Sequence, residues 1–142
     1  KKRKNNKLII LGQVLAASSF TLFFSGNLKD SLVSGFIAIV IFFLNLYASK
    51  NKINNLIINF MSSFVIGIIS ILFTKINIGN NYDKIIIGDI MLLIPGLSMF
   101  ISIDDIFKGD TLSGLGRFTE GIFLALTIAA GVGLSLLIGG TL

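Results

Sequence analysis

Apolar residues run along this chain in blocks, separated by short polar breaks. Five blocks approach the roughly 20 apolar residues that a helix needs to cross a ~30 Å hydrocarbon core. They cover about residues 8–25, 31–49, 55–74, 85–103 and 117–140. The breaks read "GNLKD", "KNKIN", "KINIGNNYDK" and "DDIFKGDTLSG". None is long enough to hold a soluble module. The pattern predicts an all-α polytopic membrane bundle of five transmembrane helices, forming a single membrane domain over residues 1–142. The first block follows a basic front, "KKRKNNK", as a signal peptide would. It has no small-residue cleavage site behind it and four more spans follow, so it reads as a retained helix.

The fourth block, "IIIGDIMLLIPGLSMFISI", holds the only proline of the chain. Pro95 removes a backbone donor and Gly96 frees the chain to bend, so this span is interrupted at Pro95-Gly96. Pro95 lies about 15 Å into the span, near the middle of the core. A break at that depth is tolerated where protein or water covers the freed backbone groups. The half-helix that follows would aim its positive end at the midplane, a recurring device of secondary transporters. Pro95, Gly96, Ser98 and Ser102 are therefore the candidate substrate-binding residues. The other reading is a plain proline kink.

Composition supports a membrane protein. The 142 residues are 54% hydrophobic and only 13% charged, where soluble domains carry about 25% charge. Mean hydropathy is +0.91. The chain has no Cys and no His, which removes disulfides, thiolate or zinc sites and every nucleophile–His pair. No metal, no cofactor and no catalysis are expected. The net charge of +5 sits at segment ends and not on one face, so a nucleic-acid partner is not expected. With the N-terminus inside, the cytoplasmic flanks hold Lys1, Lys2, Arg3, Lys4, Lys7, Lys50, Lys52, Lys108 and Arg117. Lys29, Lys75 and Lys84 fall outside. That asymmetry predicts an N-in, C-out topology, and the Lys-, Ile- and Asn-rich composition fits a bacterial cytoplasmic membrane.

Charges inside the spans are costly and mark function. Asp89 lies about 6 Å into the fourth span. Glu120 stands three residues from Arg117, a spacing that lets the two meet as an ion pair. Asp89 or Glu120 would carry a coupling proton, with Arg117 holding Glu120. In the last break, Gly109 reads as a helix stop and Asp110 as the next N-cap. Small residues at helical spacing let helices approach closely. They stand at Gly121, Ala125, Ala129 and Gly133 in the fifth span, at Asn59, Ser63, Gly67, Ser70 and Thr74 in the third, and at Gly12, Ala16 and Ser19 in the first. The third stripe is polar enough either to line a wet path or to form a seam.

"IIGDIMLLIPG" (Ile86–Gly96) followed by "GDTLSGLGRFTEG" (Gly109–Gly121) resembles the core of the threonine/serine exporter family. The resemblance implies a helix break at Pro95 and Gly96. It also implies a polar signature of Asp105, Gly109, Asp110, Ser113, Gly114, Arg117 and Glu120. Phe100 and Ile101 replace an expected polar pair, and Asp104 replaces an expected basic residue. These changes make the site more apolar and more acidic. By resemblance, the chain is a secondary transporter subunit that exports threonine or serine, driven by protons. An upstream soluble region and a second membrane domain or subunit belong to the family's architecture and lie outside these residues. Partners are then the lipid bilayer and a second subunit or further copies of the chain. Two alternatives remain open: a scaffold subunit that does not itself transport, and an exporter of a dicarboxylate such as succinate. The Asp83 and Asp89 pair is too close in sequence for an intramembrane aspartyl protease, whose aspartates stand on two helices.

Overall fold

The computed structural model describes residues 6–94 and 96–141, the side chains of Leu97, Ser98 and Thr141 excepted. They form six helices: α1 (Asn6–Phe23), α2 (Leu28–Lys50), α3 (Asn55–Lys75), α4 (Tyr82–Ile90), α5 (Gly96–Phe107) and α6 (Thr111–Thr141). Four of them, α1, α2, α3 and α6, are long and apolar enough to cross a membrane alone. The expected fourth span is divided between α4 and α5, with a turn over residues 91–94. At 1.5 Å per residue the two pieces measure about 14 and 18 Å, so together they match one crossing. The protein is a multi-pass membrane bundle. Pro95 itself lies outside the described residues. The helix expected from Arg117 starts six residues earlier, at Thr111, because the signature glycines there are compatible with helix and Pro is absent.

Four helices end in the same way. Ser25, Lys52, Asn77 and Gly109 have positive φ, at 76°, 55°, 65° and 92°. In each case the next residue donates to the carbonyl five positions back. Gly26 N reaches Thr21 O at 2.8 Å, Ile53 N reaches Ala48 O at 3.0 Å, Ile78 N reaches Phe73 O at 2.9 Å, and Asp110 N reaches Asp105 O at 2.9 Å. These are Schellman ends, which satisfy last-turn carbonyls that lipid could not. They close α1, α2, α3 and α5 within a few residues and force antiparallel neighbours.

The core packs α2 against α3 and α4, with Val33, Ile37, Ile41, Ile66, Ile85 and Ile86 at its centre. α1 covers α2 and α4, while α6 lies along α3 and α5 packs on α6. The seam between α3 and α6 is built of small residues. A Cβ on Gly131 would fall 2.6 Å from Phe60 O, and one on Gly67 would collide with Ser135. Ser63, Ser70 and Ser135 turn their hydroxyls back to their own helices, onto Phe60 O, Ile66 O and Val132 O at 2.9, 2.7 and 2.7 Å. Buried Ser63 and Gly67 thus belong to a seam, while Thr74 Oγ1 of the same stripe is buried without a hydrogen-bond partner among the described residues. The expected stripe on the last helix packs only at Gly121, which is buried against Met99 of α5. Ala125, Ala129 and Gly133 are exposed, whereas Ile128, Gly131, Ser135 and Gly139 are buried. α6 carries two small-residue stripes, and only the fit to α3 selects one. The first helix likewise buries Ala17 and Thr21, while Gly12 meets open space.

Candidate functional site

The fold distributes the expected site residues over two regions. Asp89 lies near the end of α4, fully buried. The Ser34 hydroxyl of α2 lies beside it. The two are not in bonding geometry: both Asp89 oxygens and Ser34 Oγ are buried without a hydrogen-bond partner among the described residues. Gln13 Oε1 of α1 is in the same condition. Gly88, next to Asp89, presses α4 onto α1, since a Cβ there would fall 2.9 Å from Thr21 N and 3.0 Å from Ala17 O. Asp89 is therefore enclosed by α1 and α2 and flanked by the isoleucine core. Native proteins leave few buried polar atoms unpaired, and each such group calls for an explanation.

The second region lies at the opposite end of the bundle, where α2 turns into α3 and α5 turns into α6. Gly109 closes α5 with positive φ, and Asp110 occupies the cap position of α6, its carbonyl accepting from Gly114 N at 3.0 Å. Ser113 and Gly114 fall in the first two turns of α6 and not in a loop. Gly114 lets the α5–α6 hairpin close, because a Cβ there would meet Ser102 O at 2.6 Å. Arg117 reaches Asp105 across this hairpin at 3.8 Å. It does not pair with Glu120, and both are exposed. The expected buried ion pair along one helix is thus an exposed pair between helices, because α5 runs back beside the first turns of α6. Lys108 pairs with Asp104 at 3.0 Å. The hydrogen bond to that carboxylate, and then its charge, push the Lys108 ammonium above its ordinary value.

Of the candidate substrate residues, Gly96 and Ser102 do not meet in one open site. Gly96 is exposed, with nothing near its missing side chain. Ser102 is fully buried in the α5–α6 seam, donating to Met99 O at 2.7 Å. Pro95 and the Ser98 side chain lie outside the described residues. Concave space opens elsewhere. A cavity of about 290 Å³ is lined by Asn55, Ile101, Arg117, Glu120, Gly121 and Leu124. It adjoins a larger cleft of about 660 Å³, bordered by Ile53, Asn54, Thr119 and Phe123, through the shared Asn55, Glu120 and Leu124.

A family model described as "Putative threonine/serine exporter" matches residues 1–139. The chain belongs to that family. The match spans both regions and the break between them. The family is defined by export and not by a catalysed reaction. Among curated proteins and solved structures, none matches the chain.

Sequence reasoning missed Asp30. It is fully buried at the start of α2. Its Oδ1 accepts from Asn80 N and Asn81 N at 2.8 and 2.9 Å. Its Oδ2 accepts from Asn27 N and Asn81 Nδ2 at 3.1 and 3.0 Å. The carboxylate joins the α2 capping box to the α3–α4 loop. The Asn27–Asp30 spacing was a legible capping signal, but the contact to Asn81 was not.

Proposed function

We propose that this chain is a secondary transport subunit of a bacterial cytoplasmic membrane that exports threonine and serine, coupled to protons. The observation that carries it is the buried, unpartnered Asp89 beside the interrupted fourth span, in a chain of this family. A carboxylate with no donor takes up and returns a proton as its surroundings open to one side and then the other. The N-terminus is inside and the C-terminus outside, by the positive-inside asymmetry. The test is efflux of labelled threonine and serine from proteoliposomes, with and without an imposed pH gradient. Gradient-driven efflux that Asp89→Asn uncouples supports the reading. Efflux indifferent to both gradient and substitution removes the proton role of Asp89. No movement of either amino acid removes the substrate assignment.

A second reading has its own support. Ala125, Ala129 and Gly133 of α6 border an open apolar groove of about 520 Å³ with Ile90 and Ile94. A small-residue stripe on a membrane helix is a surface for another helix, so the chain works with a second subunit or further copies. Transport only when a co-purifying membrane protein is restored would place this chain as one half of the exporter.

A further inference from the structure

The cavity where the α2–α3 turn meets α5 and α6 combines features that no single solute charge explains. It presents one guanidinium, one carboxylate, one amide and two aliphatic side chains, from Arg117, Glu120, Asn55, Ile101 and Leu124. Arg117 stands 3.8 Å from Asp105, too far for a hydrogen bond, so its fork of donors stays open. Among the described residues, Glu120 has no hydrogen-bond or ion-pair partner. The two charges lie three residues apart on α6, where Cβ atoms are about 5–6 Å apart. That spacing places a positive and a negative group side by side on one wall. Asn55 opens α3 and offers both an amide donor and a carbonyl acceptor. Gly121 shapes the wall, and Met99 of α5 fills the space that a Cβ there would need. Gly116 has open space where its side chain would be, which leaves the larger cleft clear as an approach.

We propose that this cavity binds an α-amino acid as its zwitterion, with the carboxylate on Arg117, the ammonium on Glu120 and the side-chain hydroxyl on Asn55. A dicarboxylate fits it poorly, because Glu120 lines the wall and Asp105 stands behind Arg117, and both repel a dianion. A monocarboxylate would leave Glu120 unpaired, and a simple amine would leave Arg117 with only its long contact to Asp105. A planar guanidinium suits a carboxylate in two-point contact, and an unpaired carboxylate suits an ammonium. The site lies away from Pro95-Gly96 and away from Asp89. It deepens the exporter reading, on which it rests for the direction of transport but not for the chemistry of binding.

The test is equilibrium binding of labelled threonine to the full chain in lipid nanodiscs, with unlabelled competitors. Threonine should compete at least ~10-fold better than threoninol, which lacks the carboxylate, and than 3-hydroxybutanoate, which lacks the amine, since each omits one charge-assisted contact. Succinate should not compete. Glu120→Gln should narrow the preference for threonine over 3-hydroxybutanoate to a few-fold and keep the preference over threoninol. Arg117→Gln should do the reverse. That crossed pattern is one that a general structural defect does not produce. Equal competition by threonine and its one-charge analogues on the unaltered chain overturns the proposal, as does the absence of binding by any of the common amino acids. Zwitterion binding without efflux from proteoliposomes keeps the site and removes the exporter reading. Efflux that survives both substitutions unchanged keeps the exporter and removes the site.

Discussion

Two glycines two residues apart on α6 test the choice of packing face. Gly131 faces α3 and Gly133 faces away. A Cβ at Gly131 would collide with Ser63 Oγ and would fall 2.6 Å from Phe60 O and 3.1 Å from Phe64 N. Two of these three neighbours are backbone, so no rotamer change relieves them. Carbon contacts settle near 3.5–4.0 Å, so α6 would have to withdraw from α3 by roughly 0.5–1 Å. A gap of that size forfeits a quarter to a half of each contact along the seam, and overpacking of this kind costs about 1–3 kcal/mol. Ala gains about 0.8–1 kcal/mol over Gly in helix propensity. The net expectation for Gly131→Ala is a loss of up to about 2 kcal/mol. At Gly133 a Cβ meets nothing within 4 Å, so Gly133→Ala should be neutral or stabilising by up to about 1 kcal/mol. The assay is unfolding of each purified variant in mixed detergent micelles, followed by the helical far-UV signal. A larger loss for Gly133→Ala than for Gly131→Ala would place the other stripe of α6 against α3. Equal effects would remove the seam altogether.

Asp30→Ala should cost about 3 kcal/mol in the same unfolding assay, because it strands the donors of Asn27, Asn80 and Asn81 at once. A loss below about 1 kcal/mol would mean that water replaces the carboxylate. Lys52→Gly should stabilise by about 1 kcal/mol, since Lys52 holds a left-handed φ of 55° that costs a side-chain-bearing residue roughly that much. Destabilisation would show that the lysine side chain contributes more than its backbone strain costs. The chain contains no Cys, so single cysteines report topology cleanly. With the N-terminus inside, Asn80→Cys should react with a membrane-impermeant maleimide in intact cells and Lys108→Cys should not, and the opposite result inverts the topology.

The hydrophobic runs made the helices legible, including the fourth, because the apolar period and the lone proline are local signals. What depended on partners was not legible. Arg117 had Glu120 at helical spacing in the sequence. The hairpin instead brings it to Asp105, twelve residues back, and no local rule ranks one over the other. Asp30 looked like a loop charge because its partner Asn81 stands 51 residues away. Ser25 and Lys52 end helices without the glycine that marks Gly109, so their left-handed turns had no composition signal, and Asn77 carried only the weaker one of an asparagine. The break in the fourth span carried the largest consequence. It was expected to set a substrate site of Pro95, Gly96, Ser98 and Ser102 at the midplane, with an Arg117–Glu120 ion pair along the last helix. Instead it changes the partner of the chain: α4 packs on α1, α2 and α3, while α5 packs on α6. Asp89 stays in the first group and the Arg117–Glu120 cavity belongs to the second. They are joined through the turn at residues 91–94, through α3, which touches both α4 and α6, and along the groove that Ile90 and Ile94 share with Ala125 and Ala129 of α6. The α3–α6 seam is tight enough to exclude a Cβ at Gly67 and Gly131, so a shift of α3 on the Asp89 side would carry α6 with it.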